Sequence, residues 1–64
     1  MGRQEYLIEQ LGADGHWWIV GSDPTSGWAQ HYMREYRKAA PKAALRVVEH
    51  PSRRLITLAG GEGT

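Results

Sequence analysis

A chain of 64 residues with a net charge of +1, 23% charged residues and no cysteine is one domain at most, with neither a disulfide framework nor a thiolate metal site to support it. A fold of this length buries only roughly 60% of the surface of its unfolded chain, so Trp17, Trp18, Trp28, Tyr6, Tyr32 and Tyr36, which are all of its aromatic residues, are expected to do much of the packing. No run approaches the roughly 18 apolar residues of a membrane span, and the first ten residues have no apolar segment of signal-peptide length, which points to a cytosolic protein without a membrane partner.

The first predicted elements are two strands, Glu5 to Leu11 and His16 to Gly21, joined as an antiparallel hairpin by "GADG", since Asp-Gly between strand-like runs favours a tight turn. Then "SDPTSGWAQHYMREYRKAAP" predicts a helix, with Asp23 as its cap, Pro24 in the first position and Pro41 setting its end. Trp28, Tyr32 and Tyr36 recur at i, i+4 and i+8 beside Ala29, Met33 and Ala40, which predicts a core-facing stripe. Gln30, His31, Arg34, Arg37 and Lys38 fall on the other face. "ALRVVEH" and "RLITLA" around "PSR" predict a second hairpin.

The expected fold is therefore α+β, in ββαββ order: a mostly antiparallel four-stranded sheet with one helix on one face, over residues 1–59, with a flexible Gly-rich tail at 60–64. A β-grasp-like strand order is one option. One helix covers one sheet face only, and adjacent strand residues point to opposite faces, so Trp17 and Trp18 are expected to separate. A two-residue turn at Asp14-Gly15 pairs Leu11 with Trp18. It places Tyr6, Ile8, Trp17 and Ile19 beneath the helix, with Leu45, Val47, Ile56 and Leu58 beside them. The open face then holds Leu7, Leu11, Trp18, Val20, Arg46, Val48 and Leu55, with Glu9 and Thr57 among them; a one-residue slip reverses the assignment of the second strand.

An exposed apolar patch of this kind marks an interaction surface, and tryptophan and arginine are typical interface anchors. The charge distribution agrees. Residues 1–32 carry Arg3 against Glu5, Glu9, Asp14 and Asp23, a balance of −3, and residues 33–64 carry seven Lys/Arg against Glu35, Glu49 and Glu62, a balance of +4. Opposite poles suit protein docking, with Arg34, Arg37, Lys38, Lys42, Arg53 and Arg54 as basic steering residues. A second copy of the chain is an alternative occupant of the open face.

No catalytic group is nominated. His16, His31 and His50 lie in a turn, a helix and a strand end without metal-ligand spacing, no Ser sits in a nucleophile motif, and no glycine-rich phosphate loop is present. No cofactor or metal is expected, and the chain reads as a non-enzyme. Two alternatives remain: a single-stranded nucleic-acid binder stacking a base on the sheet beside Lys/Arg, and a ubiquitin-like carrier using Gly60-Gly61, which "ITLAGG" suggests but which Glu62, Gly63 and Thr64 follow.

The motifs "YLI" at 6–8, "DGHWWIVG" at 14–21, "EYRKAAP" at 35–41 and "LRVV" at 45–48 resemble small ββαββ proteins of phages and prophages of GC-rich bacteria, although "PTSGW" departs from the acidic first helical turn usual there. The resemblance implies an inhibitor or accessory protein of the anti-CRISPR kind, which covers a surface of a host protein complex.

Overall fold

The computed structural model describes residues 4–60. Five elements run in the expected order: β1 (Glu5–Leu11), β2 (Trp17–Asp23), α1 (Ser26–Ala39), β3 (Leu45–His50) and β4 (Arg54–Ala59). The strands form one sheet in the order β2-β1-β3-β4, antiparallel at every junction. The last strand is thus an edge strand, and the β-grasp option, which sets the first and last strands together in the centre, is not the order adopted.

The β1–β2 connection differs from the expected tight turn. Gly12 N–H donates to His16 O at 2.7 Å and Gly15 N–H to Gly12 O at 3.0 Å, while Asp14 Oδ1 accepts from His16 N–H at 3.0 Å. The Asp side chain thereby substitutes for a backbone turn, and Gly15 supplies the left-handed residue at φ 86°. Five residues, 12–16, separate the strands, so Leu11 pairs with Trp17 instead of Trp18.

Both edge strands also carry a bulge. Ile8 lies opposite Gly21 but Glu9 opposite Ile19, leaving Val20 as the extra residue of β2. Val47 lies opposite Thr57 but Val48 opposite Leu55, leaving Ile56 as the extra residue of β4. Val20 and Ile56 both pack on the core cluster of Ile8, Ala29, Met33, Leu45 and Val47. The bulges therefore turn one more aliphatic side chain per edge strand towards the helix.

α1 crosses β2, β1 and β3, and the side chains it buries are Ala29 and Met33. The expected aromatic stripe is not the core seam: Trp28 is 56% exposed, and Tyr32 and Tyr36 are also open to solvent. The physical reason is size, because a methyl at Ala29 and the flexible thioether of Met33 let the helix axis approach the sheet, whereas three aromatic rings would hold it away. The aromatics instead form a ridge on the β2 side, where the Trp28 and Tyr32 rings stack at 5.9 Å and Tyr36 Oη donates to Val20 O at 2.8 Å. The expected capping also shifts: Asp23 ends β2, its carboxylate accepting from Thr25 N–H at 2.9 Å and Thr25 Oγ1 at 3.0 Å, and Thr25 is the N-cap. The helix stops where Pro41 requires, Ala40 N–H bonding back to Tyr36 O.

Candidate docking surface

With the register fixed, the sheet face away from α1 can be read row by row. Ile19, Glu9, Arg46 and Leu58 form one row across all four strands, and Ser22, Leu7, Val48 and Leu55 form the next. Leu11 and Trp17 make up a third. Leu7, Leu11, Arg46, Val48 and Leu55 thus lie where the sequence placed them. Trp18 and Val20 do not: the longer loop and the β2 bulge move them to the helix side, and Trp17 and Ile19 take their places. Leu58 and Thr57 exchange faces for the same reason, through the bulge at Ile56.

Ile19 and Leu58 are 60% and 61% exposed, and Leu11 and Leu55 are also open. Leu7, Val48 and Glu9 are buried on this same face, Glu9 being only 3% exposed. A carboxylate so removed from water requires partners. Arg46 Nε donates to Glu9 Oε1 at 2.7 Å and Arg53 Nη1 lies 3.9 Å from Oε2. Arg53 stands in the turn beyond His50 and reaches back from there to Glu9. On the other side Arg46 lies over the indole of Trp17, its guanidinium carbon 4.1 Å from the ring centroid. Trp17, Arg46, Glu9 and Arg53 therefore form one continuous polar seam, with exposed aliphatic side chains at both edges.

Glu9 and Glu49 do not meet. Glu49 shares the opposite face with Tyr6, accepting from Tyr6 Oη at 3.3 Å and from Ser52 Oγ at 2.8 Å, with Arg54 Nε at 3.3 Å. The Ser52 hydroxyl, the Arg54 charge and the Tyr6 hydroxyl hold the Glu49 carboxyl below its ordinary range against the opposing effect of burial.

The expected steering residues are scattered. Arg34, Arg37 and Lys38 line a groove of about 590 Å³ between α1 and β4, with Met33, Thr57 and Ala59, on the layer opposite the open face. Lys42 is in the exposed loop after α1, and Arg54 is committed to Glu49. Only Arg53 reaches the open face. The histidines also stay apart: the His16 ring lies 5.7 Å from that of Trp18, and His31 lies against Trp28 and Tyr32. Among the described residues no three His, Asp or Glu side chains are grouped to hold a metal ion, and no helix is long and apolar enough to cross a membrane.

Gly61 and the residues after it lie outside the described residues. Gly60, at φ 78°, is wedged against Ala43 O and the Arg37 guanidinium. Comparison of the chain with protein-family models, curated proteins and solved structures gave no match.

Proposed function

We propose that this chain is a non-enzymatic protein-binding module and that the sheet face away from α1 is its docking surface. The observation that carries the reading is the pairing of exposed Ile19, Leu55, Leu58 and Leu11 with a central charge pair already closed by Arg46 and Glu9. Such a face loses little on desolvation, since its buried carboxylate keeps its partner when water leaves, while four aliphatic side chains gain cover. A surface of this composition is typical of a protein interface. The setting proposed is the one its motifs resemble, a phage or prophage inhibitor or accessory protein of the anti-CRISPR kind, working in the cytosol of the host cell.

A single-stranded nucleic acid is less well supported, because Arg46 occupies one face of Trp17 and the cations Arg34, Arg37 and Lys38 lie across the sheet from it. The test is association measured with three folded variants. Ile19→Asp and Leu58→Asp should abolish it, and Trp28→Ala on the helix ridge should leave it intact. The reverse pattern sinks the reading and moves the docking surface to α1.

A further inference from the structure

We propose that the occupant of the open face is a second copy of this chain, stacked sheet on sheet about a two-fold axis running along the strands. This rests on the reading of that face as a docking surface and goes on to name what docks. The central row reads apolar, acidic, basic, apolar: Ile19, Glu9, Arg46, Leu58. A two-fold axis along the strands, passing between β1 and β3, lays β2 of one copy over β4 of the other and β1 over β3. Every unit of the row then meets its complement. Ile19 faces Leu58 of the second copy, and Glu9 faces Arg46 of the second copy, so the four charges of this row alternate with no like pair opposed within it. In the next row the exposed Leu55 meets Ser22 of the second copy, while Leu7 and Val48 are already buried within their own chain. An axis across the strands would instead set Glu9 on Glu9, and the row pattern selects against it.

Area sets the expected strength and cover points the same way. Four strands about 4.8 Å apart and six residues long at about 3.3 Å each give a face of roughly 19 by 20 Å. Two such faces cover about 760 Å², less than a standard-size interface, so the expected dimer is a weak one. The basic groove of Arg34, Arg37 and Lys38 lies on the far layer, so of the steering residues only Arg53, beside Glu9, is brought into the interface when the sheets close. For a chain of 64 residues, the second sheet also supplies the layer that the single helix cannot.

The experiment is sedimentation equilibrium from about 1 to 200 μM. The wild type is expected to rise from the mass of the 7.2 kDa chain to twice that value. Ile19→Lys and Leu58→Asp, both at well-exposed positions, should each keep the wild-type circular dichroism and weaken the dimer about 100-fold or more. Mixing these two variants in equal amounts should restore a dimer, because the ammonium introduced in β2 of one copy then faces the carboxylate introduced in β4 of the other. A monomeric wild type, a dimer that survives both substitutions, or a mixture that stays monomeric overturns the second copy as occupant. If the wild type is monomeric but Ile19→Lys and Leu58→Asp abolish binding of another protein, the docking surface stands and only its proposed occupant falls. If the dimer is broken by Trp28→Ala and not by the sheet variants, both fall.

Discussion

The guanidinium of Arg46 is held between Trp17, 4.1 Å away at its ring centroid, and Glu9, whose Oε1 accepts from Nε at 2.7 Å. Arg46 is thus the keystone of the open face, since it neutralises the one carboxylate buried there and also covers an indole. Arg46→Ala should lower stability by about 2–4 kcal/mol, because it leaves the Glu9 charge with only the more distant Arg53. Glu9→Leu combined with Arg46→Met should recover most of the loss. Urea midpoints of the single and double variants check this, and an equal loss in the double variant would show that packing, not the stranded charge, sets the cost.

The adjacent tryptophans are expected to respond differently. Trp17 is half-buried beneath Arg46, whereas Trp18 is 57% exposed at the end of β2, its indole over Gly12. Trp17→Ala should cost about 1–2 kcal/mol through lost cation–π contact and area, and Trp18→Ala less than about 1 kcal/mol on the same area basis. Chemical denaturation of the two variants side by side decides it; a larger loss at Trp18 contradicts the register.

Glu49 gives the acid limb a sign. Its carboxyl is held below the ordinary 4.5, first by the Ser52 hydroxyl and then by the Arg54 charge and Tyr6, against the opposing effect of burial. Above that value both folded and unfolded chains are ionised, and the stabilisation is fully present. As pH falls below it the unfolded chain takes up the proton first, so the contribution fades and is lost once the folded carboxyl protonates. Glu49→Gln should therefore be less stable than the wild type at pH 7, with the gap narrowing towards pH 3. Parallel acid-limb melting curves for the two proteins would refute the assignment.

Two glycines should respond in opposite directions to the same substitution. A Cβ at Gly60 would collide with Ala43 O, at a φ of 78°, and Gly60→Ala should cost about 1–3 kcal/mol. Gly27 sits in the first turn of α1 with nothing near its Cβ position, and Gly27→Ala should add about 0.5–1 kcal/mol through helix propensity and unfolded-state entropy. Thermal melts of both variants test the pair, and a stabilising Gly60→Ala would mean that the chain does not pass Ala43 as described.

Element order was legible in the sequence because alternation in "EYLIEQL" and "LRVVEH" and the Pro41 stop are local signals. The faces of β1 and β3 followed from them, hence the correct placing of Leu7, Leu11, Arg46 and Val48. The faces of β2 and β4 did not follow. They depend on the Asp14–His16 bond, which lengthens the turn, and on the bulges at Val20 and Ile56, and no residue pattern announces a bulge. The exposure of Ile19 and Leu58 therefore has no sequence signal, since alternation alone places their neighbours Trp18, Val20 and Thr57 on the open face. The helix seam is ambiguous in the sequence because i, i+4 spacing is shared by Trp28–Tyr32–Tyr36 and Ala29–Met33, and closeness of packing favours the smaller set.

The bulges at Val20 and Ile56 bear on how copies of this protein can associate. They lie in β2 and β4, the two strands with an unpaired side, and each breaks the even spacing of N–H and C=O groups that another strand would need in order to zip alongside. Growth by edge addition is open-ended and leads to fibres, whereas the proposed stacking by the face would consume the surface that drives it and stop at two. The same two residues that deepen the core thus favour finite assembly over polymerisation.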